Sequence, residues 1–179
     1  PAIVVGGTEK DHASVAWAVD QFDQMGLALP SVVIAIHPDD EACEGFDGAF
    51  RRSAEPLRVD VCNRNRHIIL HELAHVWDHH NLTDEVRQEF MDVLGLAGWN
   101  DPHLPWKERG VEALAEIVTW GMHDGAVTGD ADAMLVRVQA FELVTGRSPR
   151  HHQEELRAGV GDLAAKDPLD EDSDWDEMH

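Results

Sequence analysis

The chain has 179 residues, 43% of them hydrophobic, which is enough for one buried core but short for two independent domains. Its 35 acidic against 14 basic residues give a formal net charge of −21, a surface that repels nucleic-acid phosphates and anionic lipid. There is no apolar run of about 18 residues and no basic-then-apolar leader, so neither nucleic acid nor membrane is expected as a partner; the missing leader favours the cytoplasm, while the start at Pro1 without a methionine leaves the compartment open.

In chain order, PAIVVGG resembles the mature N-terminus of trypsin-like proteases, but no Gly-Asp-Ser-Gly follows and Tyr is absent. His12 to Met25 has the apolar spacing of an amphipathic helix (Val15, Ala16, Val19, Phe22, Met25), with Gly26 placed to end it. Ser31 to Ile36, a continuous β-branched run, is expected as a buried strand, and LRVDVC (57–62) alternates like a half-buried one. Cys43 and Cys62 flank a segment that can fold back as a hairpin, so they form either one bridge or two separate buried thiols. A long helix is expected from Asn65 to about Asn81, and another after Thr83, its N-cap, through Val86, Phe90 and Leu94. AGWNDPHLPW reads as a loop, Lys107–Met122 and Ala131–Val144 as helices, the latter closed by Gly146. From about residue 150 the chain turns acidic, and 150–179 is expected as a disordered tail with Trp175 as a docking anchor. One helix, a few strands and then only helices predict an α+β domain over 1–149: a small sheet at one end, followed by a helical C-terminal half.

The chemistry gathers in HIILHELAHVWDHH (67–80). His71-Glu72-Leu73-Ala74-His75 is a His-Glu-x-x-His pattern: histidines at i and i+4 aim two imidazoles at one point, and the Glu reaches a water at the metal's open position. In a chain with 12 His, chance is a real competitor, and so are buried histidines satisfied by carboxylates or backbone. The surroundings decide. Ile68, Ile69, Leu70, Leu73, Ala74, Val76 and Trp77 make the helix apolar on more than one side, where two histidines and a glutamate need partners. Two ligands hold zinc weakly, so a third must come from elsewhere. Downstream, Glu108, Glu112 and Glu116 recur every fourth residue on an otherwise apolar helix; Glu108 suits the helix start, whereas Glu112 and Glu116 lie where a ligand and its supporting carboxylate would be.

HELAH followed by Glu112-Ala-Leu-Ala-Glu116 resembles the gluzincin clan of zinc metallopeptidases, and HELAHVWDHH with WKERGVEALAE is similar to short actinobacterial and phage proteins of minimal gluzincin type. The resemblance covers roughly residues 30 to 146. It implies a minimal zincin fold holding one zinc per chain on His71, His75 and Glu112, with Glu72 as general base. It also implies that Glu116 supports a ligand histidine by accepting from its distal ring nitrogen. One departure matters: thermolysin-like members stabilise the oxyanion with Tyr or His, and this chain has no Tyr. The candidates are His123, His103 and Arg109, the last with a rival task of pairing with Glu112 or a neighbouring carboxylate. Asp78 either hydrogen-bonds a ligand His or is a surface charge. His67 and His79 stand one turn outside the pair, too far to share its centre, and His79 and His80 are placed to meet the helix-end carbonyls.

VVIAIHPDDE (32–41) resembles the strand-then-HPDDE motif of LmbE-type zinc de-N-acetylases, with His37 and Asp40 as ligands and Asp39 as base. The alternative is a capped turn, and the strand and helix alternation of that fold is missing after Glu41. Two classes of function follow. The first is a metallopeptidase acting on a peptide or protein aligned along an edge strand, Val32–Ile36 or Leu57–Val61. The second is a non-catalytic, zinc-stabilised peptide-binding or regulatory protein. The acidic surface would steer basic peptides.

Overall fold

A computed structural model describes residues 1–123 and 131–150. Four strands, β1 (Ala2–Gly6), β2 (Val32–Ile36), β3 (Gly48–Arg51) and β4 (Leu57–Val61), form one mixed sheet in the order β1-β2-β4-β3. β1 runs parallel to β2 and β2 to β4, while β3 and β4 form an antiparallel hairpin. Five helices complete the α+β fold: α1 (Glu9–Met25), α2 (Arg66–Asn81), α3 (Asp84–Leu94), α4 (Gly110–Met122) and α5 (Ala131–Thr145).

The helix ends follow their caps. Thr8 and Asp11 form a reciprocal capping box at α1, and Gly26 closes it at a left-handed φ of 69°. Asn65 accepts from the His67 amide to start α2, and Thr83 accepts from Val86 to start α3. On the sheet, Val32, Ile34 and Ile36 stand in register with Leu57, Val59 and Val61, and this face packs into one core with Val15 and Phe22 of α1 and Ile69, Leu70 and Leu73 of α2. α2 therefore lies at the centre of the molecule, against the sheet, α1 and α4.

Four expectations need correction. A βαβ unit does open the chain: AIVVG is a parallel edge strand, short and with Ile3 and Val5 exposed, so its apolar residues carried no clear burial pattern. β2 and β4 are central strands; the edges are β1 and β3. The helix expected from Lys107 breaks in two: Trp106–Glu108 is a separate 3-10 turn after Pro105, Arg109 is extended (φ −82°, ψ 130°), and α4 begins at Gly110. Glu108 thus does not share a helix with Glu112 and Glu116. Finally, His37 is not free for a metal, because its Nε2 lies 2.8 Å from the buried Asp60, which also accepts from Arg51 and Arg58.

Cys43 and Cys62 are joined in a disulfide, with the β3–β4 hairpin folded between them. Of the acidic tail, only Arg150 lies among the described residues, where its guanidinium donates to Gln21 and Gln24 of α1. The remainder of the tail, including Trp175, lies outside them. Among the described residues no helix is long and apolar enough to cross a membrane.

Candidate metal centre

α2 is buried continuously from Ile69 to Asp78, so everything it carries there is desolvated. His71 and His75 project from successive turns and bring their Nε2 atoms to 3.1 Å of each other. α4 crosses alongside and adds Glu112, whose Oε2 is 3.1 Å from His71 Nε2 and 3.3 Å from His75 Nε2. These three atoms form a nearly equilateral triangle. A tetrahedral metal with ligands at about 2.0–2.1 Å requires edges of about 3.3 Å, so the triangle fits such an ion. Two ring nitrogens and a carboxylate oxygen all directed at one point are short of protons to share, and one cation satisfies all three. Among the described residues this is the group able to hold a metal ion, and its donors suit zinc and other borderline divalent metals alike.

The next layer orients the ligands. Glu116 Oε1 lies 3.1 Å from the other nitrogen of His71, Nδ1, though off the direction of a well-formed hydrogen bond. Its second oxygen is 3.5 Å from His67 Nε2. His67 thus bears on the site through Glu116 rather than as a ligand. Trp106, from the 3-10 turn, stacks on the His71 ring at 5.7 Å with an interplanar angle of 23°. Burial disfavours a charge on His71, but Glu112 and Glu116 outweigh it and raise its pKa to about 9. Burial would raise Glu112, yet the two histidines bring it down to about 2; contacts to His67 and His71 pull Glu116 well below the usual range.

Glu72 is different. It is 6% exposed, it is not in the triangle, and burial raises its pKa despite the nearby histidines. No lysine or arginine pairs with it among the described residues. It faces β3, where a Cβ on Gly48 would come within 2.7 Å of its Cγ and Oε1, and the backbone N–H of Phe50 favours its charged form. The glycine is what lets the edge strand and the carboxylate meet.

The triangle opens into a cleft of about 780 Å³ lined by residues of β3, α2 and α4. Of the three candidate oxyanion stabilisers only Arg109 lines it. His123 packs edge-on against Trp17 at 5.7 Å, and His103 stands in the 98–105 loop, its amide donating to Asp101; neither reaches the cleft wall. Arg109 does not pair with Glu112 either; its Nε and Nη2 donate to the carbonyls of Leu104 and Pro102. Asp78 is neither a surface charge nor a partner of a ligand His. It is buried and accepts from Arg87 Nε at 2.9 Å, joining α2 to α3. His79 packs edge-on against Phe50.

Sequence reasoning missed Gly48 and Trp106. The turn-rich EGFD before GAFR hinted at the first, and a tryptophan directly after Pro105 at the second, but neither carries a metal-site signal of its own. The HPDDE residues do not assemble: Asp39, Asp40 and Glu41 are exposed, away from the centre. No family model matches the sequence, and neither curated proteins nor solved structures show a match, so the site rests on its own geometry.

Proposed function

We propose that the chain is a zinc-dependent metallopeptidase, with His71, His75 and Glu112 holding the ion and Glu72 acting as general base. When bound, zinc would supply Lewis-acid activation of a water and of the scissile carbonyl. Glu72 would take the proton of that water on its carboxylate and deliver it to the leaving amine. Its raised pKa suits both halves of the task, since the carboxylate accepts a proton more readily than an exposed one. Glu116 would hold His71 by Nδ1, so that Nε2 is the nitrogen turned to the metal.

β3 offers the means of aligning a peptide. The Asp47 carbonyl accepts from Cys62 and Asn63, on the β4 side, so strand alternation turns the amide and carbonyl of Gly48 to the open edge. An extended peptide can pair there and pass over Glu72.

What carries this reading is Glu72. A buried carboxylate beside the three ligands, neither a ligand nor matched to a fixed cation, costs stability and has no use in a purely structural site. The rival reading is a zinc-stabilised peptide-binding or regulatory protein, and one observation favours it: His103 and His123 are not in the cleft to stabilise an oxyanion. The deciding experiment is metal analysis together with casein or peptide-library cleavage for wild type, Glu72→Gln and Glu112→Ala. One zinc per chain is expected in wild type and Glu72→Gln, cleavage only in wild type, and weakened zinc binding in Glu112→Ala. Full zinc retention in Glu112→Ala would remove the ligand assignment, and a wild type that binds zinc without cleaving would favour the rival.

A further inference from the structure

The cleft is lined by five carboxylates (Asp47, Glu72, Asp78, Glu112, Glu116) and three arginines (Arg52, Arg87, Arg109), and two of the arginines meet none of the carboxylates. Of its carboxylates, Glu112 meets His71 and His75, Glu116 meets His71 and His67, Asp78 pairs with Arg87, Asp47 accepts from the Asn63 amide, and Glu72 has no fixed cation. Of its three guanidiniums, Arg87 pairs with Asp78 and Asp84, whereas Arg109 and Arg52 meet no carboxylate among the described residues. Outside the cleft, Arg51, Arg58 and Arg64 meet carboxylates, while Arg66 lies over Trp17 and Arg150 donates to two glutamines. Arg109 is half-buried in the cleft wall, yet it donates only to two neutral carbonyls, at 3.1 Å and 3.3 Å, which fix its direction and leave its charge unbalanced. Arg52 also lines the cleft and has no carboxylate partner among the described residues. Arg52, exposed, directly follows β3 and Arg109 directly precedes α4, and both line the cleft that holds the metal triangle.

A guanidinium half-withdrawn from water without a counter-ion is a cost, in a chain with 35 acidic residues available to supply one. We propose that Arg109, assisted by Arg52, binds a carboxylate of the substrate, so that the cleft selects acidic peptides. This rests on the metallopeptidase reading and adds the substrate class to it. It also reverses the expectation drawn from net charge. The −21 field acts at long range and is screened within about 8–10 Å at physiological salt, whereas a bound peptide meets the groups of the cleft directly. Arginine is suited to this because its planar fork grips a carboxylate with two parallel hydrogen bonds. The carboxylate can be an acidic side chain or a free C-terminus, which share this chemistry.

The test uses the full, zinc-loaded chain carrying Glu72→Gln, so that peptide is bound but not consumed. The probes are Ala-Ala-X-Ala-Ala peptides blocked at both ends, with X as Glu, Gln or Lys, and the Gln peptide with its C-terminus free. Binding is read by calorimetry. The Glu peptide, or the free-ended one, is expected to bind about tenfold tighter than blocked Gln, and Lys weakest, the better of the two identifying the source of the carboxylate. Adding Arg109→Gln should erase that preference while moving the blocked Gln peptide less than about twofold; Arg109→Lys should keep most of it, and Arg52→Gln should reduce it. If Arg109 were only a latch for the 98–105 loop, Arg109→Gln and Arg109→Lys would weaken all peptides alike and leave the preference intact, which overturns the proposal. Equal binding of Glu, Gln and Lys peptides overturns it as well, while the metallopeptidase reading survives. If no peptide binds a chain with full zinc content, both fall together. Should Arg109→Gln not fold, the Arg109→Lys and Arg52→Gln comparisons decide by the same criterion.

Discussion

At the scale of single residues, the contrast is between those that chemistry dictates and those that proximity dictates. His71, Glu72 and His75 are legible in the sequence because their spacing is itself the geometry: four residues is one helical turn. Glu112 and Glu116 are legible because charge on an apolar helix asks for a partner. Gly48 belongs to the other kind, since nothing in GAFR says that a carboxylate from α2 will stand where its Cβ would be. Gly48→Ala is therefore expected to push Glu72 from its place without touching a ligand. Zinc stoichiometry should be unchanged, while peptide cleavage falls about tenfold to a hundredfold, as for a misplaced catalytic group. Full activity in that variant would show that Glu72 does not depend on the contact, and zinc loss would show that the contact supports the ligands as well. Asp78 was illegible for a similar reason: its partner Arg87 is nine residues on and meets it only because α3 folds back on α2.

At the scale of elements, the helices were read from caps and periodicity, and the capped ends Gly26, Asn65, Thr83 and Gly146 lie at or within a residue of the observed boundaries. The strands were not read as well. β2 and β4, five residues each, are apolar or alternating runs with buried residues, but β1 and β3, of five and four residues, are edge strands too exposed for a clear burial pattern to stand out. That gap had a consequence, because the cleft is built on an edge, and the edge beside the metal centre is β3. The disulfide fixes this strand. Closing a loop between Cys43 and Cys62, 19 residues apart, it holds the hairpin that contains Gly48, and in the chain-entropy picture such a closure contributes about 3 kcal/mol. His71, His75 and Glu112 all lie outside the loop. Reduction, or replacement of both cysteines by serine, is thus expected to lower unfolding free energy by about that amount and to diminish cleavage, with zinc content preserved. Denaturant melts with parallel metal analysis separate the two effects; loss of zinc on reduction would mean that β3 supports the ligands as well as the base.

At the scale of the whole molecule, the candidate metal centre couples folding to protons and, on the proposed function, would couple both to zinc. In the metal-free chain His71 is raised to about 9 by Glu112 and Glu116, so the folded state holds a proton there that the unfolded state releases near pH 6.5. The stability this supplies is complete below about pH 6.5 and is lost as pH rises to about 9, amounting to about 3 kcal/mol over that range. Glu72 and Asp78, both raised chiefly by burial, act in the same direction from lower pH, since the folded state resists their ionisation. Glu112, lowered to about 2, opposes them only in acid, where its contribution is present above about pH 4.5 and disappears as pH falls towards 2. Zinc bound at this centre would invert the slope. To bind at His71 Nε2 it must displace the proton, so its affinity rises with pH until about 9, and so does the stabilisation that comes from binding the folded state alone. Thermal melts at pH 6, 7, 8 and 9, with chelator and with excess zinc, should therefore diverge. The chelated chain should weaken across this range, the zinc-loaded chain should hold or strengthen, and the gap between their melting temperatures should widen steadily. Glu112→Ala should close most of that gap at every pH, because it removes one ligand and one of the two carboxylates that hold the proton. Parallel curves for the chelated and zinc-loaded wild type would mean that the proton and the metal do not compete for His71, and that the ion, if bound, lies elsewhere.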